Sequence, residues 1–512
     1  MGGKIDSFLT ATMGGVPARL VLAAMAWFGF LNLYMVRVNL PFIIVAMVRR
    51  NESSGSTSPC LSTINATYGN ASASPDGAGL PEGQGGRGAA HEEGEMFWDA
   101  TTQGFVLAGF GYGYTTTQIV GGRLAELYGT RWVFGTCILA GGICSVLSPV
   151  AARTHYGLLI ALRIVQGILQ GVSWPSMHAC VARWIPPLER SRFVAAVYFA
   201  ATLSIALTLP LCGVIIAAHG WAAAFYVTGA LSLAWCVFWF AFMHDSPRQH
   251  PRISDQELSY IEDALRTSGT SSSRATKLPM KSILTSLPVW AIVVGDVGNT
   301  FGLSLFLSQL PTYMKTIQGF SIRQNGVISA IPFLMRYAGA LTWSNLGDWL
   351  IRKGHLSIVQ SRRLFSVVAM WGPGALIIGV VYSGCNWQAI VTLISLALFF
   401  NGAVTASIIV NHTDIAPNFS GTLFGFANTL CSVGSFIVPV MVGYMTDGQQ
   451  TLAQWQKVFW VFIPIYIVTE IFYLVFSSGD VQPWNYGEAD ERKGDAEASE
   501  LDKLQGEKAI KA

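Results

Sequence analysis

The chain has 512 residues, of which 52% are hydrophobic and only 12% charged, and its mean hydropathy is +0.44. A soluble chain of this length needs about 25% charged residues to cover its surface, so lipid is the solvent for most of this fold. The formal charge of +3 gives no basis for nucleic-acid binding.

Residues 1–19 hold Lys4 and Arg19 as their positive charges, and the apolar stretch after them is too long for a signal-peptide core. A retained first membrane helix is therefore expected. Gly2 is not a myristoylation site, because Asp6 stands where Ser or Thr is needed. Apolar segments long enough to span follow at 20–46, 101–121, 132–151, 156–180, 193–218, 221–243, 287–313, 324–346, 364–383, 387–410, 420–445 and 456–476. Six lie on each side of a polar stretch at 244–286, which holds an amphipathic 254–266 and a Ser-rich 268–273. The expected architecture is an all-α membrane protein of twelve transmembrane helices. A six-helix bundle at 20–243 and another at 287–476 are joined by a cytoplasmic linker at 244–286. The terminal segments 1–19 and 477–512 are expected in the cytoplasm.

Orientation follows from Lys and Arg. With the N-terminus inside, the cytoplasmic loops collect Arg123, Arg131, Arg183, Arg190, Arg192, the linker charges and Arg352, Lys353, Arg362 and Arg363, while the opposite loops hold far fewer. The long outer loop 49–98 is rich in Gly, Ser and Asn and is expected to be disordered. Its sequons at Asn51, Asn65 and Asn70 are expected to be glycosylated, and those at Asn411 and Asn418, on the inner side, to be silent. Six cysteines (Cys137, Cys144, Cys180, Cys212, Cys236, Cys431) fall inside apolar segments and read as small core residues. Cys60 and Cys385 both face the outer compartment, and are either a disulfide tying the loop to the second bundle or two unrelated thiols. No metal spacing is present, and no cofactor is expected beyond H⁺ or Na⁺ as a coupling ion.

Between the second and third segments runs Gly121-Gly122-Arg123-Leu124-Ala125-Glu126-Leu127-Tyr128-Gly129-Thr130-Arg131, and a degenerate copy between the eighth and ninth holds Gly347-Asp348 and Arg352-Lys353-Gly354. Glycines permit a tight turn there, and arginines anchor it at the interface. This pattern, at the same place in each half, resembles the gating loop of the major facilitator superfamily, with Gly122, Arg123, Gly129, Arg131 and Asp348 at its key positions.

Further stretches narrow the resemblance: Tyr34-Met35-Val36-Arg37-Val38-Asn39-Leu40, Arg163-Ile164-Val165-Gln166-Gly167-Ile168-Leu169-Gln170-Gly171, Pro175-Ser176-Met177-His178, and Asn411-His412-Thr413-Asp414-Ile415-Ala416-Pro417. Together these are similar to the anion-transporter family of sialin, the vesicular glutamate transporters and the sodium–phosphate cotransporters, nearest to sialin. The resemblance covers nearly all of 20–485.

A charge at bilayer depth costs about 2.5–3.5 kcal/mol on insertion scales. Arg37 and Arg163 lie within spans with no acidic neighbour within a turn, so each either grips an anionic ligand in a wet cavity or bonds carbonyls of a facing helix. The resemblance implies that both help bind a substrate carboxylate. Arg336 is open between the same readings. His178 is either a structural histidine or, as the resemblance implies, a substrate or proton-relay residue. Tyr34, Gln166 and Gln170 complete the expected substrate-binding set with Arg37, Arg163 and His178. Where sialin carries two glutamates this chain has Gln166 and Gln170, which cannot titrate. Asp296 in the seventh segment is the expected ion-coupling residue, through a desolvated carboxyl, an arginine pair or Na⁺. Asn299 stands where vesicular glutamate transporters have an arginine, which argues against glutamate loading of synaptic vesicles.

The expected function is secondary active, ion-coupled transport of small organic anions such as sialate or acidic sugars, by a monomer working through alternating access. A Na⁺-coupled inorganic phosphate cotransporter and an anion channel are the alternatives. No nucleophile elbow or phosphate loop is present, so an enzyme is not expected. The expected location is a lysosomal or vesicular membrane, or alternatively the plasma membrane, since the sorting signal of sialin is not evident.

Overall fold

Lipid offers the backbone no hydrogen-bond partners, so each crossing must be helical and self-satisfied. The computed structural model describes residues 17–49, 60, 94–251, 253–267, 280–417 and 419–485, and the sequons at Asn51, Asn65, Asn70 and Asn418 lie outside them. The first bundle comprises α1 (Ala18–Met47), α2 (Ala100–Tyr128), α3 (Thr130–Thr154), α4 (Tyr156–Gln170) with α5 (Ser173–Trp184) as one broken crossing, α6 (Pro187–His219) and α7 (Trp221–Phe242). Two short helices, α8 (Asp255–Thr267) and α9 (Met280–Thr285), lie in the linker. The second bundle comprises α10 (Leu287–Thr316), α11 (Ile322–Arg352), α12 (Ile358–Tyr382), α13 (Trp387–Asn401) with α14 (Ile408–Ile415), α15 (Ser420–Cys431) with α16 (Gly434–Thr446), and α17 (Leu452–Phe476). A 3-10 turn at Gly402–Ala406 joins α13 to α14. The twelve crossings of the sequence are all present.

Ten of the crossings are long and apolar enough to be recognised on those grounds alone. The other two are α2 and α11, of 29 and 31 residues. Each packs along the opposite bundle on one side. The bundle end that carries the 48–99 connection is called here the loop end, and the opposite one the linker end. At the loop end α2 lies on α16, where a Cβ on Gly104 would sit 2.6 Å from the Pro439 carbonyl and one on Gly443 2.6 Å from that of Ala100. Likewise α11 lies on α6, where a Cβ on Gly326 would sit 2.7 Å from the Leu209 carbonyl. Thr101 Oγ1 donates to Asp447 across the same seam, at 3.1 Å. The loop end is shut.

The structure corrects one expectation and sharpens two others. Gly122 and Arg123 lie inside the last turns of α2 rather than in a loop, and the turn is confined to Gly129, at φ 84°. There the Arg131 amide donates to Asp245 at 2.8 Å, and its guanidinium reaches the Phe240 carbonyl. The 49–98 connection is held at its ends, where Arg49 N donates to Met96 O and Met96 N to Met47 O, both at 2.8 Å, and residues 50–59 and 61–93 of the stretch expected to be disordered lie outside the described residues. Finally, Cys60 and Cys385 form a disulfide, which fastens that loop to the α12–α13 turn of the other bundle.

Candidate functional site

Proline 41 lies inside α1 and has no N–H, so the carbonyl four residues back, that of Arg37, has no partner in its own helix. The partner comes from α4. Arg163 Nη2 donates to Arg37 O at 3.0 Å, its Nη1 to Val36 O at 3.3 Å and to Gln166 Oε1 at 2.8 Å, and Gln166 Nε2 donates to Val36 O at 3.0 Å. Arg163 is 3% exposed and Gln166 not at all. Both belong to the expected substrate-binding set, and here these donors are engaged on α1. Their donors hold the proline-loosened segment of α1, and so position Arg37. Gln170 is also buried, against Gly141 of α3, and its amide has no hydrogen-bond partner among the described residues.

Arg37 itself is half-buried. Its guanidinium carbon lies 4.5 Å from the ring centre of Tyr114, 4.7 Å from that of Phe110 and 5.3 Å from that of Tyr34. Aromatic faces hold a cation without neutralising it. Among the described residues no carboxylate forms an ion pair with it. Tyr34 also interacts electrostatically with Arg336 of α11, the half-buried arginine of the opposite bundle.

Arg336 begins a relay through the second bundle. Its Nε donates to Asn401 Oδ1 at 2.9 Å, Asn401 Nδ2 to Asn299 Oδ1 at 3.0 Å, and Asn299 Nδ2 to Asp296 Oδ1 at 3.2 Å. Asn401 stands at the break between α13 and α14, where the approach of α11 is so close that a Cβ on Gly402 would strike the Arg336 carbonyl. Asp296, expected as the coupling residue, is thus joined to an arginine through two asparagines rather than by direct contact. The centre presents two guanidinium groups, one from each bundle, which suits an anion.

His178 lies on α5 away from Arg37. Its ring meets Phe424 of α15 edge-on at 6.1 Å, and Phe424 also meets His412 at 5.7 Å, so the two histidines flank an inter-bundle contact toward the linker end. Close by, Gln118 Nε2 donates to Ser432 Oγ at 2.8 Å and Asn428 to Gln118 Oε1. Asp348 is exposed on α11. The residues missed from sequence are Phe110, Tyr114 and Asn401. The run Phe110-Gly111-Tyr112-Gly113-Tyr114, aromatics alternating with glycine in the least apolar spans, is the signal that marks the first two.

Two bundles with broken crossings around a cationic centre define a membrane transporter of the major facilitator type. The Major Facilitator Superfamily profile matches residues 22–439. Human sialin is 34% identical over 472 residues, covering 91% of this chain and 90% of its own. Human vesicular glutamate transporter 2 is 32% identical over 500 residues, covering 97% and 80%. A Drosophila melanogaster protein whose name proposes inorganic phosphate cotransport is 32% identical over 486 residues, covering 93% and 88%. Among solved structures, a bacterial homologue of the human lysosomal transporter Spinster superposes with a TM-score of 0.63 at 12% identity, over 90% of this chain and 97% of that one. The chain belongs to the major facilitator superfamily and, within it, to the anion-transporter family that holds sialin and the vesicular glutamate transporters. It is a multi-pass membrane protein.

Proposed function

We propose that the chain moves small organic anions, sialate, acidic sugars or related carboxylates, by ion-coupled alternating access. The observation that carries this is Arg37: half-buried, held by three aromatic rings and without a carboxylate partner among the described residues. A carboxylate entering between Arg37 and Arg336 would supply the missing charge from both bundles at once, and so reward their closure. Asp296 is the proposed coupling group, since a change in its charge is transmitted to Arg336 through Asn299 and Asn401. The second reading is Na⁺-coupled phosphate transport, favoured by the untitratable Gln166 and Gln170. A lysosomal or vesicular membrane is the proposed location, with the plasma membrane as the alternative.

Tracer uptake into proteoliposomes under imposed H⁺ or Na⁺ gradients tests the proposal, with sialate, glucuronate, glutamate and phosphate compared. Saturable uptake of a carboxylate, lost at least tenfold in Arg37→Ala, is expected. In Asp296→Asn the response to the gradient is expected to vanish while equal-gradient exchange persists. Uptake of phosphate alone, driven by Na⁺, would favour the second reading. Ohmic anion current without tracer accumulation would mean a channel.

A further inference from the structure

Glu470 of α17 is fully buried in the second bundle. Its Oε1 lies 2.6 Å from Ser366 Oγ of α12, and its Oε2 has no hydrogen-bond partner among the described residues. The same Ser366 Oγ lies 2.9 Å from the carbonyl of Arg363. A hydroxyl has one hydrogen to donate. Were Glu470 ionised, both neighbours of that hydroxyl would be acceptors, so one short contact would set lone pair against lone pair. The second carboxylate oxygen would also be buried with no donor, a costly arrangement. One extra proton resolves both conflicts. With O–H on Oε1, Glu470 donates to Ser366, Ser366 donates to Arg363 O, and Oε2 becomes a neutral carbonyl oxygen.

The surrounding charges are engaged elsewhere. On α12, Arg362 pairs with Asp414 at 2.7 Å and donates to Ala406 O, and Arg363 donates to Ser477 Oγ at 3.1 Å and Ser477 O at 2.9 Å. On α14, Asn411 donates to the Tyr473 hydroxyl at 3.0 Å, and His412 Nδ1 is 2.9 Å from Ile409 O. On α10, Asp296 accepts from Asn299 at 3.2 Å. Tyr473, one turn along α17, interacts electrostatically with Glu470, Arg362 and Asp414 alike, which places the acid beside that ion pair.

We infer that Glu470 is a proton-binding site of the second bundle, loaded in the loop-closed conformation. It releases its proton to linker-side water when α12 and α14 shift and Arg362 or Arg363 turns onto the carboxylate. The proton's use in coupling rests on the transporter reading; its presence on Glu470 does not. The site lies between α12 and α17, and supplies a titratable carboxyl in a chain whose fourth crossing has glutamines.

The test uses the full-length protein in lipid nanodiscs without any anion, read by infrared difference spectroscopy as the pH is raised. A protonated-carboxyl C=O band is expected in the wild type, lost at high pH, absent from Glu470→Gln and displaced in Ser366→Ala, which removes the hydroxyl it donates to. Glutamine is isosteric with the neutral acid, so Glu470→Gln should fold, and Ser366→Ala reports on the same band with Glu470 in place. Identical spectra for wild type, Glu470→Gln and Ser366→Ala at every pH would overturn the site. In proteoliposomes with labelled sialate and inorganic phosphate, Glu470→Gln is expected to keep exchange at equal pH and lose accumulation driven by a pH gradient. Unchanged accumulation would overturn its role in coupling. Absence of any wild-type uptake would count against the transporter reading, while the infrared band decides Glu470 separately.

Discussion

Pro41 and Arg163 act as a pair separated by 122 positions (163 − 41) in the sequence. The proline removes an amide hydrogen from α1, and the arginine replaces it with a guanidinium hydrogen from α4. Removing Arg163 leaves the Arg37 carbonyl short of a donor, while Val36 O keeps the Gln166 amide, at a cost of about 1–3 kcal/mol. Arg163→Met is therefore expected to lower the unfolding temperature of the purified protein as well as its uptake. In Pro41→Ala an amide hydrogen returns to the Arg37 carbonyl, so the double variant is expected to be more stable than the sum of the single effects. A thermal-unfolding double-mutant cycle reads the difference directly, and strict additivity would refute the pairing. The same logic separates Arg37, which is half-buried among three rings, from Arg163, which is buried and donates to carbonyls of its own bundle.

At the scale of elements, the connections are fastened more firmly than their composition suggests. Glu257 of the linker helix α8 accepts from the amides of Ala18 and Arg19 at 2.9 and 3.1 Å and pairs with the Arg19 guanidinium at 3.0 Å. A carboxylate there satisfies the open donors of the α1 N-terminus and complements its dipole. At the loop end the Arg153 guanidinium, hydrogen-bonded to Glu95, holds that carboxyl below its ordinary range. A lowered carboxyl pKa adds stability above the unfolded value, and the contribution disappears as pH falls through the folded value. Both side chains are about half exposed, so the effect is under about 1 kcal/mol. Acid-dependent loosening of the 94–99 segment, measured by amide exchange between neutral pH and pH 3, is expected in the wild type and should be absent in Glu95→Gln. The disulfide from Cys60 to Cys385 joins the two bundles covalently. The chain from Val48 to Cys60 reaches at most roughly 40 Å when extended, which leaves the bundles free to rock.

Over the whole molecule, the two bundles meet along a loop-end seam, and its glycines set how close they come. A side chain at Gly443 would press on the Ala100 carbonyl, which is backbone and cannot turn aside. Gly443→Val is expected to favour loop-end opening. Thiol labelling of cysteines placed at the loop end should rise, labelling at the linker end should fall, and uptake should drop at least tenfold while each bundle stays folded. Unchanged labelling would mean that the seam is not a gate.

Much of this protein is legible in its sequence because lipid imposes a rule on every span separately: the backbone must be helical and its flanks basic on one side. Twelve apolar segments, the linker at 244–286 and an unpaired Arg37 follow from that rule one residue window at a time. The same windows place Arg163, Gln166 and Arg37 in one class, since each is a polar group at membrane depth. Only the packing of α4 on α1 separates them, because it decides which guanidinium finds carbonyls and which finds aromatic rings. The relay from Arg336 to Asp296, the disulfide and the proton count at Glu470 are of the same kind. Each depends on atoms brought within about 3 Å by helices distant in the chain, and hydrogen-bond geometry at that range has no signature in local composition.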